Sequence, residues 1–172
     1  MKRMKLSSQE EYGLRCLLHL ARCGQDGSLT IPEISRAEGL SVPNVAKLMR
    51  MLRLGGFVTS VRGQSGGYAL SRPAAEVSVA SVLSLLGGQL FGPQFCEKHS
   101  GMQDSCSHTV DCSLRVLWAT MQQVLEDVLS KTTLQDLLCS EAEMAELLRC
   151  RQGDFPMFGK NEPAGAEPAE LA

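Results

Sequence analysis

Two short stretches, each opening on a hydroxyl residue followed closely by proline and separated by a single glycine, constrain this chain most. Thr30-Ile31-Pro32-Glu33 reads as a helix start. Threonine suits the N-cap, proline suits a first turn where its missing N–H is not needed, and Glu33 completes a capping box. Glu38-Gly39-Leu40 ends that helix, because glycine takes the positive φ of a helix exit without steric cost. Ser41 and Pro43 repeat the opening and start another helix. Two capped helices about a tight glycine-bearing turn make a helix-turn-helix.

In the second of these helices Val45, Leu48, Met49 and Leu52 share one face and should enter the core. That leaves Pro43, Asn44, Lys47, Arg50 and Met51 toward the outside. A solvated polar face is the usual fate of such residues. Here the face is also what a major-groove reader needs, since Asn44 can pair with base edges and Lys47 and Arg50 can reach guanine or phosphate. The next segment decides between the two. Phe57 to Arg62 alternates like a strand, Gly63-Gln64-Ser65-Gly66-Gly67 turns, and Tyr68-Ala69-Leu70 returns, a two-stranded wing. Arg62 and Gln64 at its tip are placed for the minor groove or phosphate, beside Ser41 at the helix start. The glycines of the turn are expected to let the backbone approach a duplex closely.

Charge follows the same division. Residues 1–75 hold eleven Lys/Arg against five Asp/Glu, a net +6, and residues 76–172 hold six against fourteen, a net −8. The basic half fits a nucleic-acid surface and the acidic half is repelled by phosphate. Ahead of the helix-turn-helix, Tyr12, Leu14, Leu17, Leu18 and Ala21 recur at helical spacing, predicting a helix over 8–23. No stretch reaches the apolar length of a membrane span, and Met1-Lys2-Arg3 is followed by no secretory core, so a cytoplasmic location is expected.

After a connector at Pro73 and a short helix near 79–86, no helical or strand period survives from Gly87 to Asp111. This stretch contains His99 and His108, and Cys96, Cys106 and Cys112 in a C-x9-C-x5-C spacing. A loop of that length has the slack to gather three sulfurs around one inorganic centre. Seven cysteines cannot all pair within one chain, which favours reduced thiols or ligands over a disulfide framework. Cys16, Cys23, Cys139 and Cys150 fall on helical faces and are expected to be buried small hydrophobes.

From Cys112 a helix is predicted to about Ser130, with Leu114, Trp118, Met121, Leu125 and Val128 forming a seam that Leu117 and Val124 widen. Such a face packs on its own domain or on a twin. Its width, and a first 75 residues able to supply their own core, favour a dimerisation helix. Ser140 and Glu143 start a last helix, and the Pro-, Gly-, Ala- and Glu-rich end predicts a mobile tail. The expected architecture is mainly α with a small β wing. Its parts are a winged helix-turn-helix at 1–88, a cysteine-bearing loop at 89–112, a dimerisation helix and C-terminal helices at 113–150, and a tail at 151–172.

These residues resemble the IscR/NsrR family of bacterial winged-helix regulators that hold an iron–sulfur cluster. The likeness rests on Glu11-Tyr12-Gly13-Leu14-Arg15, Ser60-Val61-Arg62-Gly63, Gly66-Gly67-Tyr68-Ala69-Leu70, the three cysteines and Leu117-Trp118. The resemblance implies a homodimer on pseudo-palindromic, double-stranded promoter DNA, expected to be a repressor, sensing nitric oxide, redox state or iron–sulfur status. It implies a [2Fe-2S] or [4Fe-4S] cluster on Cys96, Cys106 and Cys112. The first gap is longer here than the five residues usual in the family, at a small cost in closure entropy. Where IscR-type members place a histidine ligand this chain has Arg115, which stays protonated and cannot ligate. The NsrR-like pattern implies instead Glu11 of the partner subunit, with His108 and His99 as the next choices.

Other functions are weaker. Zinc on the same thiols with His99 or His108 would make a structural site, though the spacings fit zinc knuckles poorly. A cluster-free thiol switch keeps the same fold. A thiol oxidoreductase lacks its C-x-x-C, and no nucleotide-binding glycine motif or acid/base pair is present, so no enzymatic activity is expected.

Overall fold

The computed structural model describes residues 7–24, 27–63, 66–87, 91, 95 and 111–152. Helix α1 (Ser8–Arg22) opens on a capping box absent from the reading above. The Ser7 amide and hydroxyl both donate to the Glu10 carboxylate at 2.6 Å. This turns Glu10 inward, where it is buried, and leaves its neighbour Glu11 exposed. Cys16, Leu17, Leu20 and Ala21 form the buried face of α1, with Tyr12, Leu14 and Leu18 partly buried at its margins.

Helix α2 (Ile31–Glu38) carries the expected Thr30–Glu33 capping box, and Gly39 ends it at φ 65°. The Thr30 amide and hydroxyl donate to the Glu33 carboxylate, holding it below its usual pKa. Helix α3 (Val42–Leu54) buries Val45, Leu48, Met49 and Leu52, the four residues assigned to its inner stripe. Two local expectations fail. Ser41 stands at the N-cap but its hydroxyl makes no capping bond. Met51 is half-buried and packs against the core rather than facing outward.

Strands β1 (Val58–Val61) and β2 (Gly67–Leu70) pair antiparallel, Val58 opposite Leu70 and Val61 opposite Gly67. A contact outside the hairpin anchors the wing. Leu29 bridges Tyr68, with N–H to O distances of 3.0 and 2.8 Å in the two directions. A side chain at Gly67 would place its Cβ 2.5 Å from the Leu29 carbonyl oxygen. Gly67 is therefore required by the chain's own backbone.

The core extends beyond the first 75 residues. Val77, with Val82 and Leu86 of α4 (Val79–Leu86), joins it, and so does Leu134 from beyond α5 (Ser113–Ser130). Leu134 is drawn in by backbone bonds, its N–H to Val77 O and the Val79 N–H to Thr132 O, both 2.8 Å. Each fully buried aliphatic side chain contributes about 1.5–3 kcal/mol.

Helix α5 follows the predicted span, yet none of its residues is buried. Leu114, Val116, Leu117 and Val124 are 55, 68, 47 and 46% exposed. A short 3₁₀ turn at Asp136–Leu138 leads to α6 (Glu141–Gln152), whose Ser140–Glu143 capping box forms as predicted. Arg151 returns to the Lys131 carbonyl at 2.8 Å and Asp136 at 3.3 Å. Of the four cysteines expected inside, Cys16 is buried, whereas Cys23, Cys139 and Cys150 are exposed. Cys23 and Cys139 stand just past the ends of α1 and of the 3₁₀ turn, off any buried helical face. Among the described residues no helix is long and apolar enough to cross a membrane.

Candidate nucleic-acid interface and sulfur site

The turn between α2 and α3 is held rigidly. The Leu40 N–H donates to Ser35 O at 3.1 Å and the Ser35 hydroxyl donates to Leu40 O at 2.5 Å. Arg15 straps the end of α2 to α1. Its Nε lies 2.7 Å from a Glu38 carboxylate oxygen, and a second guanidinium nitrogen donates to the Glu38 carbonyl at 2.9 Å. His19 Nδ1 stands 3.5 Å from the other Glu38 oxygen. Hydrogen bonding to Glu38 raises the Arg15 pKa above its already high ordinary value.

On this mount α3 presents Pro43, Lys47 and Arg50 to solvent, with Asn44 half-buried and Ser41 exposed at the entrance. Pro43, Lys47, Arg50 and Leu54 are spaced as one helical stripe, and Leu54 is 71% exposed. Arg62 is exposed immediately after β1. Gln64 lies outside the described residues. Two exposed arginines were missed in the sequence reading, Arg53 in the last turn of α3 and Arg72 at the root of the wing. The Arg72 guanidinium sits over the Phe57 ring at 5.2 Å, which fixes its direction through a cation–π contact. Arg53 was legible as three residues beyond Arg50; Arg72 became a candidate only through its stacking on Phe57.

The sulfur site is seen in part. Cys112 is half-buried, carries no disulfide and occupies the N-cap of α5, where its carbonyl accepts from the Arg115 N–H at 3.1 Å. The exposed amides of a helix start favour negative charge, as a ligating thiolate would bring. Cys96, Cys106, His99 and His108 lie outside the described residues, and among the described ones no group of three metal-ligating side chains gathers. Glu11 is exposed on α1. Cys16 differs from Cys112 in kind: burial pushes its thiol up to about 12, leaving it an unreactive packing residue.

Comparison with known proteins agrees with this architecture. The chain is 32% identical over 135 residues to the protein rrf2 of Nitratidesulfovibrio vulgaris, covering 78% of this chain and 87% of that protein. Its fold matches the structure of CymR, the global cysteine regulator of B. subtilis, with TM-score 0.65 and 26% identity over 79% of this chain and 97% of that one. It also matches T. potens IscR, with TM-score 0.62 and 26% identity over 90% and 93% of the two chains. The profile of the Rrf2 family, described as iron-dependent transcriptional regulators, matches residues 6–140. This chain, a winged-helix DNA-binding regulator of transcription, belongs to the Rrf2 family.

Proposed function

We propose that the chain acts in the cytoplasm as a homodimeric repressor whose grip on promoter DNA is set by an iron–sulfur cluster. Cys96, Cys106 and Cys112 would hold the cluster with Glu11 of the partner subunit. Ser41, Pro43, Asn44, Lys47, Arg50, Arg62 and Gln64 would meet the duplex, with α3 in the major groove and the wing beside it. One observation carries the reading: Cys112 stands at the N-cap of the same helix on which Leu114, Leu117 and Val124 are exposed among the described residues. A sulfur-bound centre and a dimer contact therefore share one element. A cluster supplies iron that reacts with oxidants and nitric oxide. The chain's own part is mechanical. Glu11 on α1 is one turn from Arg15, which holds α2 and hence α3, so engaging or releasing Glu11 bears on the spacing of the two recognition helices.

Protein purified without oxygen should carry iron and sulfide and absorb in the visible. Cys96→Ala, Cys106→Ala and Cys112→Ala should each abolish that absorbance while leaving a folded protein. Unchanged spectra in all three reject the cluster. Lys47→Ala and Arg62→Ala should weaken promoter binding and each lower the salt slope by about 1; variants that bind as wild type reject the groove assignment.

A second reading has its own support. Cys23, Cys139 and Cys150 are exposed thiols, and the fold matches the cysteine regulator CymR. Iron-free protein whose DNA affinity changes reversibly with a thiol oxidant would favour a metal-free switch.

A further inference from the structure

In the half of the chain that precedes Gly87, the large aliphatic side chains left exposed among the described residues are Val42 and Leu54 on α3 and Val61 on β1. Helices α1, α2 and α4 carry none among those residues. Exposed aliphatic groups are thus confined to the two elements assigned to the duplex, where they stand among the exposed cations Lys47, Arg50, Arg53 and Arg62. A surface so rich in positive charge repels a second copy of itself and attracts phosphate. DNA is the occupant that suits both kinds of side chain.

Position along the chain separates the three. Val42 opens α3, Leu54 closes it about 18 Å away along the axis, and Val61 belongs to the wing. The N-terminal residues of a recognition helix are the ones that approach base edges. There Val42 is 48% exposed, Pro43 beside it is exposed, and Ala46 one turn on is half-buried and offers only a methyl group. Neither the Val42 nor the Pro43 side chain can donate or accept a hydrogen bond. Pressed against a polar base edge, they would strip water from it and return nothing. The major groove offers one apolar group, the C5-methyl of thymine. We infer that Val42, flanked by Pro43, reads a thymine methyl in each half-site and is a specificity-determining residue, beside the cationic contacts of Lys47 and Arg50. Its β-branched side chain is stiff, so little freedom is lost on contact. The inference rests on the placement of α3 in the major groove proposed above.

Thymine and uracil differ by that methyl alone, which isolates the contact. Duplexes enriched by the full-length protein from a random-sequence pool supply the probes, each thymine then being exchanged singly for uracil. At one thymine in each half-site the exchange should lower wild-type affinity about three- to fivefold, the effect of one buried methyl group. Val42→Ala should bind the thymine duplex about three- to fivefold more weakly, and uracil at the same position should cost it nothing further. Circular dichroism should show the variant folded, since an exposed side chain supports no core. Lys47→Ala should weaken both duplexes alike and keep the uracil effect. Uracil that is silent at every thymine, or that costs wild type and Val42→Ala equally, overturns the methyl contact. If Lys47→Ala is nonetheless weakened, the groove placement stands and only the methyl contact is lost. A Lys47→Ala variant that binds as wild type, or a pool that yields no preferred sequence, overturns both.

Discussion

Helices α3 and α5 have comparable amphipathic sequences and opposite fates. The thirteen-residue α3 buries Val45, Leu48, Met49 and Leu52 against three other helices, while the eighteen-residue α5 only half-buries Trp118, Met121, Leu125 and Val128 and leaves four large aliphatic side chains exposed. Periodicity announces a face that wants covering; it does not say which molecule covers it. In the dimer proposed above, a second chain would cover this stripe.

That contrast breaks most sharply at the core. Leu52→Ala should cost about 2–5 kcal/mol in urea unfolding, because a fully buried leucine leaves a cavity as well as losing its transfer energy. A loss below about 1 kcal/mol would mean that the helix-turn-helix is less tightly packed than α3 indicates.

On α5 the same logic runs through self-association. Leu117→Glu combined with Val124→Glu should weaken dimerisation roughly a hundredfold in sedimentation experiments while leaving helical content intact, since carboxylates from two chains would face one another. A dimer that survives this pair moves the interface off α5.

The smallest effect sharpens the junction between α5 and α6. Burial opposes ionisation of Asp136, but hydrogen bonds from the Thr133 N–H and hydroxyl, with Arg151 beside it, outweigh that and hold its carboxyl below the ordinary value. A lowered folded pKa means the stabilisation is complete above the unfolded value and is lost as pH falls through the folded one. Amide exchange in α6 should therefore accelerate on acidification below about pH 4, and Asp136→Asn should flatten that dependence. An unaltered profile in the variant would detach Asp136 from the docking of α6.

What could be read in advance was local. The Thr30–Glu33 and Ser140–Glu143 boxes, the left-handed Gly39 and the buried stripe of α3 all formed as expected, since caps and periodicity involve residues three or four apart. The errors were of longer range or of environment. Leu134 reaches the core only because its backbone pairs with Val77. The need for glycine at 67 comes from the Leu29 backbone, and Cys23, Cys139 and Cys150, expected inside, are exposed. At the candidate site the surface of α3 and Arg62 were legible as exposed polar residues after a capped turn. Arg72 was not, because its orientation comes from the ring of Phe57. Two of the three cysteines and Gln64 lie outside the described residues.

Taken alone, the order of residues determined where helices begin and end, that a wing follows the turn, and that basic charge gathers in the first half, because each depends on neighbours along the chain. Tertiary structure decided that Arg15 on one helix steadies the end of another and that Phe91 stacks on Trp118, far from it in sequence. Those outcomes depend on which surfaces reach one another after folding, and burial and hydrogen bonding across such distances are settled only when the whole core closes.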